Sequence, residues 1–418
     1  MIYRMKTNAS RITRGVFTYA NGMELWKAAK AMQTELSAIR RKLHAHAEVG
    51  FDLTQTQKTV IQTLETYGCR PNVCGQGGVI ADLGAGEPRI LLRADADALP
   101  IQEKTGLSYA AKNGNMHACG HDLHTAMLLG AAKLLKERES RLKGGVRLLF
   151  QPAEETLRGA KSMIEHGALP KNAVAVMIHV LTGVPLETGT VVVSSAGVSA
   201  PAADFFEVTV RGKACHGSAP QNGVDALSAA AHILLALEEV SAREIPAGEG
   251  AVLTVGKMQA GNADNAIADE CVFSGTLRAF SEDTRTLLKT RLQAIVKGVA
   301  RSFRARGSVR FTSGCPTLVN DGQVSKYAYE TLRKGLGEKV LYSCEIGGGT
   351  SKKSGGSEDF AYISHELPSV MLGLCAGDEK KGYEYPLHHP KVTFDENALP
   401  VGAYAFAALA LHINSLSV

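Results

Sequence analysis

Long apolar runs and a strong net charge are both missing from this sequence of 418 residues. No stretch approaches the roughly 20 apolar residues that a membrane-spanning helix needs, so we expect no membrane partner. The formal net charge is +5, and residues 1–22 contain four basic residues and no acid, which leaves the remaining chain close to neutral. Charge therefore gives no support to nucleic-acid binding. With 45% hydrophobic and 21% charged residues, the composition is typical of a soluble globular protein.

Clustered cysteines are missing as well. The eight cysteines are scattered through a large chain, which favours reduced thiols and a cytoplasmic setting over a disulfide framework. Residues 1–22 lack the apolar core of a secretion signal, and we interpret them as a flexible N-terminal extension.

The hydrophobic pattern predicts an α/β fold. Apolar residues recur at helical spacing from Met23 to about Tyr67, and short apolar runs then alternate with helical stretches. The predicted buried strands are Gly78–Leu83, Arg89–Arg93, Val146–Phe150, Val174–Ile178 and Ser369–Leu374, and the predicted helices are 123–137 and 223–240. This alternation indicates a mixed, largely parallel sheet that is covered by helices on both faces. We assign this catalytic domain to residues 23–200 and 314–418.

Between these two segments the order of elements changes. Residues 201–313 read as strand, helix, strand, strand, helix, strand. This βαββαβ order is that of the ferredoxin-like unit, and joints containing Gly and Ser flank it. We therefore predict a satellite domain at 201–313, inserted into the larger α/β domain.

Polar groups that could bind a metal follow several of the predicted core strands. Asp95 and Asp97 follow one strand, Glu154 and Glu155 follow another, and His179 follows a third. Ligands of open α/β sheets bind beyond the carboxyl ends of the strands, so these side chains are expected to converge. Because neighbouring residues in an extended chain point to opposite sides, one of the two glutamates could bind metal while the other faces the substrate as general acid and base.

The segment Met116–Asp122, with sequence MHACGHD, precedes an apolar helix. By itself it is better explained as a buried thiol followed by a helix-capping aspartate. A cysteine-protease arrangement would need Cys119 and His121 to be in hydrogen-bond contact, which a two-residue spacing rarely permits, so we discount it.

Six stretches, taken together and in order, resemble the metallo-aminoacylase and carboxypeptidase superfamily. The resemblance is to the branch that contains hippurate hydrolases, N-acyl-amino-acid amidohydrolases and plant auxin-conjugate hydrolases, and it covers the chain from about Met23 onward. The stretches are Arg93–Pro100, Met116–Asp122, Gln151–Glu155, Cys215–Pro220, Gly356–Phe360 and Leu387–Pro390. Ala47 and Ala268 stand where the family usually has proline, which affects only the stiffness of two loops.

The resemblance implies a zinc-peptidase-like catalytic domain that binds two divalent metal ions. It implies that Glu154 is the catalytic carboxylate. It also implies that Asp95 orients a metal ligand without binding the metal itself. The implied metal ligands are Cys119, His121, Glu155, His179 and His388. Zinc, manganese, cobalt or nickel could each serve, because mixed sulfur, nitrogen and oxygen ligands do not choose sharply among them.

The implied activity is hydrolysis of the amide bond of N-acyl-amino acids, such as acetyl or benzoyl conjugates. The metals activate a water molecule, and Glu154 takes its proton and passes it to the leaving amine. A dipeptidase or carboxypeptidase of the same superfamily would use the same chemistry and remains open. A non-catalytic homologue that only binds an amino acid or peptide would be expected to lose Glu154 or a ligand, and none is missing.

By resemblance, three residues of the satellite domain meet the substrate. Arg278 and Asn265 are expected to hold its free carboxylate, because arginine offers a forked pair of donors that lysine cannot copy. His216 is expected to stabilise the tetrahedral oxyanion. The edge strand of the satellite sheet is expected to pair with a second copy, making a homodimer in which His216 could act on the neighbouring site.

Overall fold

The computed structural model describes residues 19–346, 355–413 and 416. Residues 1–18 of the expected N-terminal extension lie outside this range. The first helix begins at Tyr19, so residues 19–22 are helical, and the flexible extension stays a prediction.

Helices and strands alternate along the chain, as the hydrophobic pattern predicts. The helices are α1 Tyr19–Ala31, α2 Gln33–Ala45, α3 Thr54–Thr66, α4 His121–Lys136, α5 Gly159–Glu165, α6 Ala226–Glu239, α7 Glu282–Ser302, α8 Gly322–Leu336, α9 Phe360–Glu366 and α10 Leu399–His412. The first eight strands are β1 Pro71–Val73, β2 Val79–Leu83, β3 Pro88–Asp95, β4 Gly145–Gln151, β5 Val174–Leu181, β6 Val191–Val193, β7 Gly197–Ala200 and β8 Ala202–Arg211. The remaining strands are β9 Cys215–His216, β10 Ala251–Ala260, β11 Ala266–Ile267, β12 Glu270–Ala279, β13 Arg306–Cys315, β14 Leu318–Asn320, β15 Val340–Tyr342 and β16 Ser369–Cys375.

The largest sheet has eight strands in the order β1-β2-β4-β3-β5-β16-β6-β15. Its central strands β4, β3, β5 and β16 run parallel to one another, whereas β1, β2 and β6 pair antiparallel with their inner neighbours. This arrangement confirms the predicted mixed, largely parallel sheet. Each of the five predicted core strands is present, with ends that differ from the prediction by at most three residues.

Both faces of this sheet are buried. On β3, Ile90 and Leu92 enter one apolar cluster and Leu91 enters another. Side chains alternate between the two faces of a strand, so the two clusters lie on opposite sides of the sheet. Helices α4 and α10 pack against each other in the larger cluster. Helix α4 is buried along almost its whole length, and the metal-site residues at its start are therefore held by a rigid element.

A second sheet has four strands in the order β10-β12-β8-β13, all paired antiparallel. The first and third strands of the βαββαβ unit are central, which is the ferredoxin-like arrangement that the order of elements predicts. Its two helices, α6 and α7, share an apolar cluster of their own with the sheet. The sheet begins at Ala202 and ends at Cys315, close to the predicted limits 201–313. That this segment is a domain in its own right stays a prediction.

None of the helices in the described ranges combines the length and the apolar character needed to cross a membrane.

Candidate metal centre

The predicted metal-binding side chains meet at one edge of the large sheet. Strand β3 ends at Asp95, β4 ends three residues before Glu154, and α4 begins with His121. The sequence pattern predicted that His179 follows its strand, and this was wrong. His179 lies inside β5, which continues to Leu181 because β16 pairs with it from Ala175 to Leu181.

A sharp turn brings Cys119 and His121 to the same place. Gly120 between them has φ +83°, in the left-handed region that favours glycine. A β-carbon at this position would lie 2.4 Å from Cγ2 of Val180, so the close approach to β5 also requires glycine. The turn therefore points the Cys119 thiol and the His121 imidazole at the end of β5, where His179 lies.

Two triads of potential ligands share the Cys119 sulfur. The first comprises Cys119, His121 and His179, with 3.4 Å between Cys119 Sγ and His179 Nε2. The second comprises Cys119, Glu155 and His388, with 3.5 Å between His388 Nε2 and Glu155 Oε1. Within each triad the ligand atoms lie within 4.8 Å of one another. All five residues that the resemblance implied as ligands are thus brought together.

Glu154 and Glu155 do not lie in extended chain, so the expectation that they point to opposite sides was wrong. Ala153 has φ +54°, and a turn follows it. Both carboxylates consequently face His121. Its Nε2 atom lies 3.9 Å from Glu154 Oε2 and 3.9 Å from Glu155 Oε1.

Asp97 holds this turn and the His121 ring together. Its Oδ1 accepts the backbone N–H of Glu154 at 3.0 Å, and its Oδ2 accepts that of Glu155 at 3.2 Å. The same Oδ1 atom lies 3.4 Å from His121 Nδ1, which leaves Nε2 of the ring directed at the glutamates. Asp97 is therefore in the position that the resemblance implied for Asp95.

Asp95 is buried like Asp97 but has other partners. It accepts from Arg93 Nη1 at 2.7 Å, and its Oδ1 lies 2.5 Å from His124 Nδ1. It remains 3.8 Å from His121 Nε2. His124 was missed in the sequence, where it reads as an ordinary residue of an apolar helix.

The donor set fits divalent metal ions. Within the described part of the chain, Nε2 of His121 and Oε1 of Glu155 are buried without a hydrogen-bond partner. Unpaired buried polar atoms are costly, and a cation between them would remove that cost. Tetrahedral zinc with bonds of about 2.0–2.3 Å keeps its ligand atoms roughly 3.3–3.8 Å apart, and the separations of 3.4 and 3.5 Å agree with this.

The ionisation of the site without a cation supports the same conclusion. Burial raises the pKa of the Cys119 thiol to about 12, although the nearby His121 favours the thiolate. Burial also raises the pKa of Glu155 to about 7, against the effect of His121. A divalent cation would reverse both effects by stabilising the thiolate and the carboxylate.

Among the described residues neither ring nitrogen of His121 has a hydrogen-bond partner, so Cys119 and His121 are not hydrogen-bonded, as the spacing argument against a cysteine protease expected. A thiol with a pKa of about 12 is also a poor nucleophile near neutral pH, because the reactive species is the thiolate. The raised pKa of Cys119 and its lack of a hydrogen bond to His121 both argue against this alternative.

Glu154 lies in a second group of acids. One carboxylate oxygen from each of Glu154, Glu358 and Asp359 falls within 4.8 Å of the others, and all three residues are buried. Asp359 N donates to Glu154 Oε1 at 3.4 Å, and Arg93 Nη2 lies 2.9 Å from both Glu358 and Asp359. Burial and the charge of Glu358 raise the pKa of Glu154 well above its usual range. A raised pKa makes the Glu154 carboxylate a better proton acceptor than an exposed glutamate.

The satellite residues are placed differently from one another. Arg278 Nη1 donates to Gly355 O and Ser357 Oγ, in the segment that leads to Glu358. His216 and Asn265 lie close together, because the short strands β9 and β11 pair next to them. The His216 ring accepts from Ser218, and no metal-ligand group found among the described residues includes it.

The chain is similar to several known proteins. Residues 91–412 match the model of peptidase family M20/M25/M40. An N-acetylcysteine deacetylase of Bacillus subtilis is 35% identical over 391 residues, which are 92% of this chain and 98% of that protein. Thermostable carboxypeptidase 1 of Saccharolobus solfataricus is 34% identical over 90% of this chain and 95% of its own. The solved structure of the YXEP protein of Bacillus subtilis, described as a dinuclear metal-binding peptidase of the M20 family, covers 93% of this chain and 100% of its own with 32% identity and a TM-score of 0.74.

Proposed function

The chain belongs to peptidase family M20/M25/M40 and is a metal-dependent amidohydrolase, and from this premise we propose that it hydrolyses N-acyl-amino acids to a carboxylic acid and a free amino acid. The observation that carries the proposal is the group of five potential ligands beside Glu154. A site of this composition activates water for attack on an amide carbonyl. The similarity to a deacetylase of an N-acylated amino acid supports the substrate class.

In this proposal two divalent ions are held by Cys119, His121, Glu155, His179 and His388. When bound, they supply positive charge that polarises the amide carbonyl and lowers the pKa of the attacking water. Glu154 takes a proton from that water and gives it to the amine nitrogen as the C–N bond breaks. The N–H of Asp359 orients the Glu154 carboxylate, and the burial of Glu154 keeps competing water away. Asp97, and not Asp95, orients the His121 ring and the glutamate turn.

The substrate carboxylate is held by Arg278 and Asn265, and His216 stabilises the oxyanion. Arg278 already lies against the segment that carries Glu358, so the satellite sheet can deliver its guanidinium to the edge of the site. His216 and Asn265 share the β9–β11 pair and would move together. Closure of the satellite about its joints would bring this pair to the metals.

A peptidase activity is the second candidate. The similarity to a carboxypeptidase at nearly the same identity favours it, because the same site would cut a peptide bond. The two activities differ in the group on the acyl side, which is a simple acid in one case and an aminoacyl residue in the other.

We further propose a homodimer through the satellite sheet. Strand β10 is an edge strand, and the adjacent surface of β10 and α6 exposes Val252, Leu227 and Leu235, the last of which is 73% exposed. Exposed apolar groups beside an unpaired strand edge are suited to pairing with a second copy. Light scattering at micromolar concentration tests this assembly. A cytoplasmic setting stays a prediction from the free thiols.

A substrate panel tests the proposed function. The metal-free protein is reloaded separately with zinc, manganese, cobalt and nickel and assayed on acetyl-, benzoyl- and peptidyl-amino acids. Release of free amino acid that requires metal and is fastest from the acyl substrates supports the proposal. Faster cleavage of peptides would support the second candidate, and full activity in protein without bound metal would refute both.

A further inference from the structure

The imidazole of His124 has a hydrogen-bond partner at each ring nitrogen. His124 lies on α4, one turn after His121, and is fully buried. Its Nδ1 lies 2.5 Å from Asp95 Oδ1, and its Nε2 lies 2.8 Å from the backbone nitrogen of Val180. The ring therefore connects the end of β3 to β5.

These partners select one tautomer. The backbone N–H of Val180 can only donate, so Nε2 of His124 has to accept and carries no proton. The ring proton is then on Nδ1, where it is donated to the Asp95 carboxylate. Asp95 also accepts from Arg93, so this carboxylate is fixed on two sides.

The contact at Val180 acts on the neighbouring ligand. The last register pair between β3 and β5 is Arg93 with Met177, so Val180 lies beyond the end of that ladder. His124 supplies the acceptor for its N–H instead of a strand. The carbonyl oxygen of Val180 lies 2.7 Å from Nδ1 of His179, which directs Nε2 of His179 towards the Cys119 sulfur.

His124 also packs against both histidine ligands. Its ring stacks on that of His121, with centroids 5.3 Å apart and planes 30° apart, and it meets the edge of the His179 ring with centroids 4.7 Å apart. One side chain thus contacts the two imidazoles directly and fixes the backbone next to one of them.

We propose that His124, in its Nδ1–H tautomer, is a positioning residue that holds His121 and His179 in ligand geometry by bridging Asp95 and the N–H of Val180. The proposal rests on the proposed function, because it assigns a purpose to the placement of those two ligands. A residue that orients metal ligands in this way commonly changes metal affinity by about 10- to 100-fold when it is replaced.

The first test is the tautomer of wild-type protein without metal. Long-range proton–nitrogen NMR of labelled histidines, assigned with a His124→Gln sample, should show His124 with a protonated Nδ1 and an unprotonated Nε2. A proton on Nε2, or a mixture of the two tautomers, would overturn the proposal. This measurement needs no metal and no activity, so its result is independent of the proposed function.

The second test uses two variants, each of which keeps only one of the two hydrogen bonds of His124. His124→Gln places an amide oxygen near the position of Nε2 and can still accept from Val180, whereas His124→Asn places an amide near Nδ1 and can still donate to Asp95. Cobalt titrations followed by calorimetry and by the thiolate-to-cobalt absorption band should show metal affinity lowered about 10- to 100-fold in both. His232→Asn, on the satellite helix α6, is the control and should bind cobalt like wild type.

The thermal midpoint of each metal-free variant separates positioning from general support of the fold. If His124→Gln and His124→Asn keep wild-type cobalt affinity, or lose it only to the extent that the metal-free protein unfolds, the proposal fails. If wild type itself binds no cobalt, the proposed function fails, while the tautomer measurement still decides the hydrogen-bond arrangement of His124.

Discussion

Arg278 Nη1 donates to the carbonyl oxygen of Gly355 at 2.7 Å, which ties strand β12 of the satellite sheet to the segment that precedes Glu358. The same nitrogen donates to Ser357 Oγ at 3.0 Å. Asp359, at the other end of this segment, donates its N–H to Glu154. Arg278, which is proposed to bind the substrate carboxylate, is therefore linked to Glu154, the proposed proton carrier, through the segment 355–359.

Arg278→Ala should raise KM for substrates with a free carboxylate by roughly 10- to 100-fold, because a hydrogen-bonded charge pair is lost. Substrate amides, which lack that charge, should be affected little. Steady-state kinetics on matched acids and amides measure the difference, and Arg278→Lys, which keeps the charge without the forked donors, serves as control. An equal effect on acid and amide would mean that Arg278 only docks the segment 355–357.

Glu154→Gln should reduce kcat by about 100-fold or more and keep most of the metal, because a general acid and base is lost while the ligands remain. Glu155→Gln should lose metal instead. The two variants are controls for each other, since they remove the same charge from neighbouring positions. Metal analysis together with single-turnover rates separates them, and exchanged phenotypes would reverse the two assignments.

Cys119→Ser should lose most of the bound metal and activity, because Cys119 is shared by both ligand triads and a hydroxyl is a poor replacement for a thiolate. Cys271→Ser, at a buried cysteine of the satellite core, is the matched control and should keep wild-type metal content. Elemental analysis after gel filtration measures both. Wild-type metal content in Cys119→Ser would remove Cys119 from the ligand set.

Gly120→Ala should lower both thermal stability and metal affinity. The left-handed backbone costs a residue with a β-carbon about 1–2 kcal/mol, and the clash with Val180 adds about 1–3 kcal/mol of overpacking. Gly106 has a similar φ of +75° with nothing within 4 Å of an added β-carbon, so Gly106→Ala isolates the backbone contribution. Thermal midpoints and cobalt titrations of the two variants should differ clearly. Equal values would show that the space beside Val180 does not matter.

The stability contributed by His44 should depend on pH. Burial disfavours its charged form, but contacts with Asp122 and Glu103 outweigh this and raise the pKa of His44 above its usual 6.5. Arg40 opposes the charge, and both acids have lowered pKa values and stay ionised. A raised pKa in the folded state means that the stabilisation is fully present below the unfolded pKa of 6.5 and is lost as pH rises through the folded pKa.

The thermal midpoint of metal-free wild type should therefore exceed that of His44→Asn most at pH 5.5–6.5, and the difference should shrink as the pH is raised to about 9. Differential scanning calorimetry at fixed ionic strength measures this. His46→Asn, at an exposed histidine two residues along the chain, is the control. A difference that stays constant with pH would mean that His44 acts as a neutral group.

Much of the fold and of the site was predictable because both depend on patterns that are local in sequence. Alternating burial produces β3, β4 and β5, and the carboxyl ends of parallel strands meet at one edge, so Glu155, His179 and their neighbours converge. The positions that the prediction missed depend on details beyond that pattern. The choice between Asp95 and Asp97 depends on where β3 ends, and both aspartates follow the same apolar run.

Other departures have causes that only the folded chain reveals. Glu154 and Glu155 both face His121 because Ala153 adopts a left-handed backbone conformation. An alanine at that position does not predict such a conformation. His124 reads as an apolar-face residue because its partners, Asp95 and Val180, come from two strands that are distant in sequence. The contact of Arg278 with Gly355 joins a strand of the satellite sheet to the segment that precedes α9, and no periodicity in the sequence predicts that approach.

The backbone nitrogen of His388 donates to the carbonyl oxygen of Ala118, which holds this exposed histidine beside Cys119. His388 lies in a segment that follows the whole satellite sheet in the sequence. More than 200 residues separate His388 from His179 along the chain. A polypeptide emerging from the ribosome presents four of the proposed ligands early and the fifth only after the satellite has been synthesised. Loading of the second triad with metal therefore has to wait until the chain has been synthesised past the satellite sheet and His388 has docked beside Ala118.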